Sequence, residues 1–135
     1  MNLHTKVKDK GNDYDLDACQ IGIVHLGFGA FHRAHQAVYI DDYMTLTGDL
    51  NWGIAAVNLR PEDSSDFKKL SVSGDGYLLK TTSPSGESDL QKIRPHIHFS
   101  DWSVEADEAE DLLCLESVKA ISITVTESGY YLNDD

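Results

Sequence analysis

Three short stretches of unbroken apolar residues stand out along a chain that is otherwise polar. The first, residues 20–26, runs Ile21-Gly22-Ile23-Val24 through His25 into Leu26. A run that is continuously apolar rather than alternating predicts a strand buried on both faces. Residues 52–59 (WGIAAVNL) and 119–126 (KAISITVT) read the same way, as a second and a third buried strand. Between the first two, Phe31, His35, Val38, Tyr39, Tyr43 and Leu46 recur at steps of three and four. That period predicts one helix over residues 30–47, ended by Gly48, with Asp49 and Asn51 in the turn that follows. Strand, helix, strand is the βαβ unit, whose two strands lie parallel.

Further along, Pro61 followed by Glu62 and Asp63 has the chemistry of a helix start, and the segment to residue 70 reads as a short helix. Residues 76–82 and 89–93 flank Ser83-Pro84-Ser85-Gly86, a turn sequence, which suggests a small β-hairpin excursion. Residues 102–118 carry Val104, Ala109, Leu112, Leu113 and Leu115 among acids and read as another helix. Pro95-His96-Ile97-His98 reads only as a local break. Residues 1–18 are polar and without periodicity, the pattern of a mobile leader with a short first turn.

The chemistry concentrates where the first strand ends. Gly27, Phe28, Gly29, Ala30 and Phe31 occupy the junction between that strand and its helix. Without a Cβ, Gly27 can take the tight turn, and Gly29 lets the backbone come close to an anion. A helix starting there aims unpaired N–H groups and the positive end of its dipole at the same point. Such a junction suits a pyrophosphate. The expected fold is therefore α/β, a partial Rossmann-like doubly wound parallel sheet with a small hairpin excursion, residues 19–135 being the N-terminal part of a dinucleotide-binding domain. The third glycine of the usual fingerprint is absent, and His32 holds its place.

The run Gly27-Phe28-Gly29-Ala30-Phe31-His32-Arg33-Ala34-His35-Gln36-Ala37 resembles the GxGxFHRAHQA signature of the polyol-specific long-chain dehydrogenases. A second stretch, Thr124-Val125-Thr126-Glu127-Ser128-Gly129-Tyr130-Tyr131-Leu132, resembles the TxTExGY motif of the same family. The resemblance implies an NAD-dependent oxidoreductase that moves a hydride between a polyol, of the D-arabinitol or D-mannitol type, and its ketose. It also implies a C-terminal, mostly helical substrate domain carrying a general-base lysine with asparagine and histidine partners. On that reading the chain is a fragment, inactive alone. Asn51-Trp52-Gly53-Ile54-Ala55-Ala56, Ser83-Pro84-Ser85-Gly86-Glu87 and Tyr130-Tyr131-Leu132-Asn133 look most like the D-arabinitol 4-dehydrogenase branch. A hexuronate reductase of the same family is the alternative within it. Outside it stand a free-standing nucleotide-binding module and an α/β fragment without ligand.

Charge narrows the partners. With 11 Lys and Arg against 23 Asp and Glu, the formal net charge of the 135 residues is −12, which disfavours nucleic acid and anionic membrane. Neither an apolar run of membrane-spanning length nor a signal-peptide core is present in the sequence. Cys19 and Cys114 form no metal or redox spacing and suit reduced thiols, so the cytoplasm is the expected compartment.

In dinucleotide folds an acid beyond the second strand holds the adenosine ribose. Asp49 has the usual spacing from the glycines but precedes that strand, leaving Asn58, Arg60, Glu62 and Asp63. The family resemblance selects Asp63, whose charge favours NAD over NADP by repelling a 2′-phosphate; Arg60 argues mildly the other way. By the same resemblance Thr126 faces the cofactor and Glu127 relays the proton released by an alcohol. Arg33 either counters the pyrophosphate or pairs with an acid on its helix. His32-x-x-His35 and His96-x-His98 lack a clear third ligand, so no metal is expected, and His25 suits a satisfied core histidine.

Overall fold

The structure, a computed structural model, describes residues 13–72 and 74–125. It contains a four-stranded parallel sheet in the order β5-β2-β1-β6 and a separate antiparallel hairpin of β3 and β4. The strands are β1 (Ile21–Leu26), β2 (Gly53–Asn58), β3 (Tyr77–Thr82), β4 (Ser88–Ile93), β5 (His96–Asp101) and β6 (Ala120–Ile123). The α-helices are α1 (Ala30–Ala34), α2 (Gln36–Thr47), α3 (Ser64–Val72) and α4 (Ala106–Leu113). Among the described residues no helix is long and apolar enough to cross a membrane.

The two central strands explain the unbroken apolar runs. β2 is buried along its whole length and β1 at its four inner positions. One sheet face packs Val24, Ala55 and Val57 against Ala109 and Leu112 of α4. The other packs Ile23 and Ile54 against Ala37 of α2 and Ile93 of the hairpin. Each core position removes its side chain from water on a face that a helix covers, at roughly 25 cal/mol per Å² of apolar surface. Helices on both faces of a parallel sheet make the arrangement doubly wound.

Four expectations change. The helix over residues 30–47 breaks at His35, whose backbone (φ −127°, ψ −83°) leaves the helical region, so α1 is only five residues long. Its imidazole Nδ1 donates to the Phe31 carbonyl oxygen at 2.8 Å. The supposed local break at residues 95–98 begins β5, an edge strand paired with β2. Its polar residues hid it: His98 and Ser100 bind Glu108, and Asp101 binds Asn58, so their polarity is satisfied inside the fold. The helix expected over residues 102–118 is confined to Ala106–Leu113, because the Ser103 amide and hydroxyl both donate to Asp101 and hold residues around 103 in a turn. β6 is not a buried strand. It flanks β1 on one side, and Ile121 and Ile123 are exposed.

The leader expected over residues 1–18 is anchored where it is described. Tyr14 is buried, its hydroxyl donates to Asp41 Oδ1 at 2.5 Å, and its carbonyl accepts from Arg94. A short 3-10 turn, Leu16–Ala18, leads from there into β1.

Candidate functional site

The carboxyl ends of β1 and β2 open onto a cleft of about 690 Å³. In open α/β sheets this is the edge at which ligands sit. Gly27, the first residue past β1, has φ +118°, and its N–H donates to the Val57 carbonyl at 2.7 Å. That left-handed backbone, which an L side chain rarely adopts, turns the chain out of the sheet. Gly29 then caps α1, and a Cβ built on it would meet nothing within 4 Å. The ground beside this glycine is open, as close approach of a ligand to the backbone requires.

Seven of the nine expected site residues converge on this cleft: Gly27, Phe28, Gly29, Ala30, Phe31, Arg60 and Asp63. Thr126 and Glu127 lie outside the described residues. The Phe28 ring is set edge-on among Phe67, His96 and Phe99, with centroids 6.0, 4.8 and 5.4 Å away. With five residues in α1, the helix dipole at the turn is weaker than the long helix predicted.

At the far corner Arg60 binds Asp63 Oδ2 through Nη2 at 2.5 Å and through Nε at 2.7 Å, with Glu62 at 3.9 Å. Asn58, at the end of β2, is committed elsewhere: its amide donates to the Arg60 carbonyl and to Asp101 Oδ1. Asp101 also accepts from Ser64 and Ser103. Burial pushes its carboxyl up, but these hydrogen bonds outweigh that and hold it below the usual carboxylate range. Asp101 escaped the sequence reading because the strand that carries it did.

Beneath the turn lies a polar array that the sequence did not reveal. His25 stacks on His32 with centroids 3.6 Å apart, and His32 Nε2 lies 2.8 Å from His96 Nε2. Gln36 Oε1 accepts from Ser122 Oγ and meets His32 Nδ1 at 2.9 Å, so His32 donates there. Ser122, having spent its proton on Gln36, accepts from His25 Nδ1 at 2.8 Å. Burial lowers both His25 and His32 to about 4, with the neighbouring His25 adding to the effect on His32. Enclosure drives His96 well below its ordinary value, again with help from the other two. His32 therefore fills the third-glycine position as a neutral core group. Among the described residues no group of three or more His, Cys, Asp or Glu is arranged to hold a metal ion.

The comparisons with known proteins agree with this geometry. The family described as the mannitol dehydrogenase Rossmann domain matches residues 21–131. D-arabinitol 4-dehydrogenase of Klebsiella pneumoniae is 37% identical over 110 residues, covering 82% of this chain and 24% of that protein. The substrate-free crystal structure of a D-sorbitol dehydrogenase superposes with a TM-score of 0.80 at 26% identity, over 91% of this chain and 25% of that one. Pseudomonas fluorescens mannitol 2-dehydrogenase, solved as a ternary complex with NAD and D-mannitol, gives 0.75 at 32% identity, over 87% and 24%. The chain spans about a quarter of the length of the curated relatives it matches. With the glycine turn, the parallel sheet and the family match in agreement, the chain belongs to the mannitol dehydrogenase family and matches its Rossmann domain over residues 21–131.

Proposed function

We propose that this chain is the cofactor-binding part of an NAD-dependent oxidoreductase that interconverts a polyol and its ketose. The observation that carries the reading is the open ground beside Gly29, reached through the left-handed turn at Gly27, on the cleft that Asp63 also lines. These residues fit a dinucleotide. Backbone amides from Phe28 to Phe31 grip the bridging phosphates, and Asp63 takes the adenosine ribose hydroxyls. Two carboxylates, Glu62 and Asp63, already engage Arg60. That leaves negative charge where a 2′-phosphate would sit and favours NAD over NADP.

When bound, the nicotinamide supplies the hydride chemistry, and the protein orients it and manages one proton. Glu127 relays that proton, Thr126 contacts the cofactor, and a lysine from a further domain acts as base. The substrate is a small polyol of the D-arabinitol or D-mannitol type, and the compartment is the cytoplasm, in keeping with the two free thiols. Titration calorimetry with ADP-ribose tests the binding half of this reading. Saturable heat in wild type, lost in Gly29→Val, supports it; a folded wild-type chain giving no saturable heat overturns it.

A further inference from the structure

Arg33 stands apart from the other charged groups of the cleft. Arg60 is held by Asp63 and Glu62, whereas among the described residues no carboxylate lies within ion-pair distance of Arg33. Its Nε is buried without a hydrogen-bond partner. The guanidinium carbon lies 5.4 Å from the centre of the Phe28 ring and 6.0 Å from that of Tyr77. Tyr77 also donates its hydroxyl to the Arg33 carbonyl at 2.5 Å, so the hairpin braces the backbone that carries this side chain. The three histidines beneath are neutral at ordinary pH and contribute no positive charge.

Charge makes the cation necessary. A chain of net charge −12 repels a pyrophosphate at long range, and α1 is too short to supply a full dipole. A guanidinium parked on two aromatic rings is already ordered and partly dehydrated, and its planar donors match phosphate oxygens. Resting on the reading of the glycine turn as a pyrophosphate site, we infer that Arg33, stacked on Phe28 and Tyr77, is a direct cationic ligand of the cofactor's phosphates.

Calorimetric titration of the chain with ADP-ribose and, separately, with adenosine tests this. Arg33→Met should weaken ADP-ribose by roughly 10- to 100-fold and leave adenosine within about twofold, since a charged hydrogen bond carries that much. Arg33→Lys, which keeps the charge, should recover part of the loss. Equal ADP-ribose affinity in wild type and a folded Arg33→Met, with Gly29→Val still abolishing binding, overturns the role of Arg33 while sparing the site. Equal weakening of ADP-ribose and adenosine also overturns it, because it marks general disruption of the fold. A folded wild-type chain that takes no ADP-ribose overturns both readings together.

Discussion

His32 Nε2 and His96 Nε2 lie 2.8 Å apart, so the two rings share a single proton. Neutral His32 carries its single ring proton on Nδ1 and donates it to Gln36, which leaves His96 as the donor between them. Two N–H groups cannot face each other at that distance, so the array holds only while His32 is neutral and its Nε2 can accept. It ties α1, α2 and β5 together directly under the glycine turn, and through Ser122 it reaches β6.

That constraint sets a pH dependence. His25 and His32 titrate near 4 in the fold against an ordinary 6.5, so between those values the unfolded chain binds more protons. Their contribution is intact above pH 6.5 and is lost as pH falls toward 4, by up to about 1.4 kcal/mol per pH unit for each histidine. Urea unfolding at pH 7, 5.5 and 4.5 should show this fall. In His32→Gln the fall should be shallower, and an unchanged slope in that variant would discredit the neutral array.

The two glycines of the turn should separate on mutation. Gly27→Ala forces a Cβ into a backbone at φ +118° and should cost roughly 1–3 kcal/mol of stability. Gly29→Val places its side chain in open space, so stability should fall by less than about 1 kcal/mol. Binding of ADP-ribose should disappear in Gly29→Val all the same. Melting curves read the first contrast and titration the second.

Releasing Arg60 should shift cofactor preference. Asp63→Ala removes both the ribose acceptor and the main partner of Arg60, leaving that cation with the 3.9 Å Glu62 contact and available to meet a 2′-phosphate. Affinity for ADP-ribose should drop roughly tenfold, while the 2′-phosphorylated form gains relative to it. Comparing the two ligands by titration decides the matter. A parallel loss for both would mean that the pair is structural.

Tyr14 should prove to be part of the body. Tyr14→Phe strips a hydroxyl from buried Asp41, which still accepts from the Arg94 amide. The expected cost is about 1–3 kcal/mol, seen as a lower urea midpoint with an unchanged slope. No change in midpoint would mean that the segment is loosely held.

Legibility in the sequence followed how local the determining force was. Ile21 to Leu26 and the residues from Gly53 to Asn58 are apolar because both their faces are covered, so composition alone exposed them. The turn at Gly27 and Gly29 was legible because backbone conformation and close approach each demand the absence of a Cβ, a local requirement written as a residue type. Asp63 and Arg60 were legible as candidates, but their mutual pairing was not. β5 stayed hidden because its histidines, serine and aspartate are satisfied by partners from other elements. His35 looked like part of one long helix, since periodicity records which face is apolar and not where the backbone bends. Tertiary structure alone decided that His25, His32 and His96 meet under the turn, and that Arg33 rests on Phe28 and Tyr77 with no acid among the described residues beside it. Those relations join residues as far apart as His32 and His96, 64 positions along the chain, and depend on which strands become neighbours, a choice that no short stretch of chain encodes.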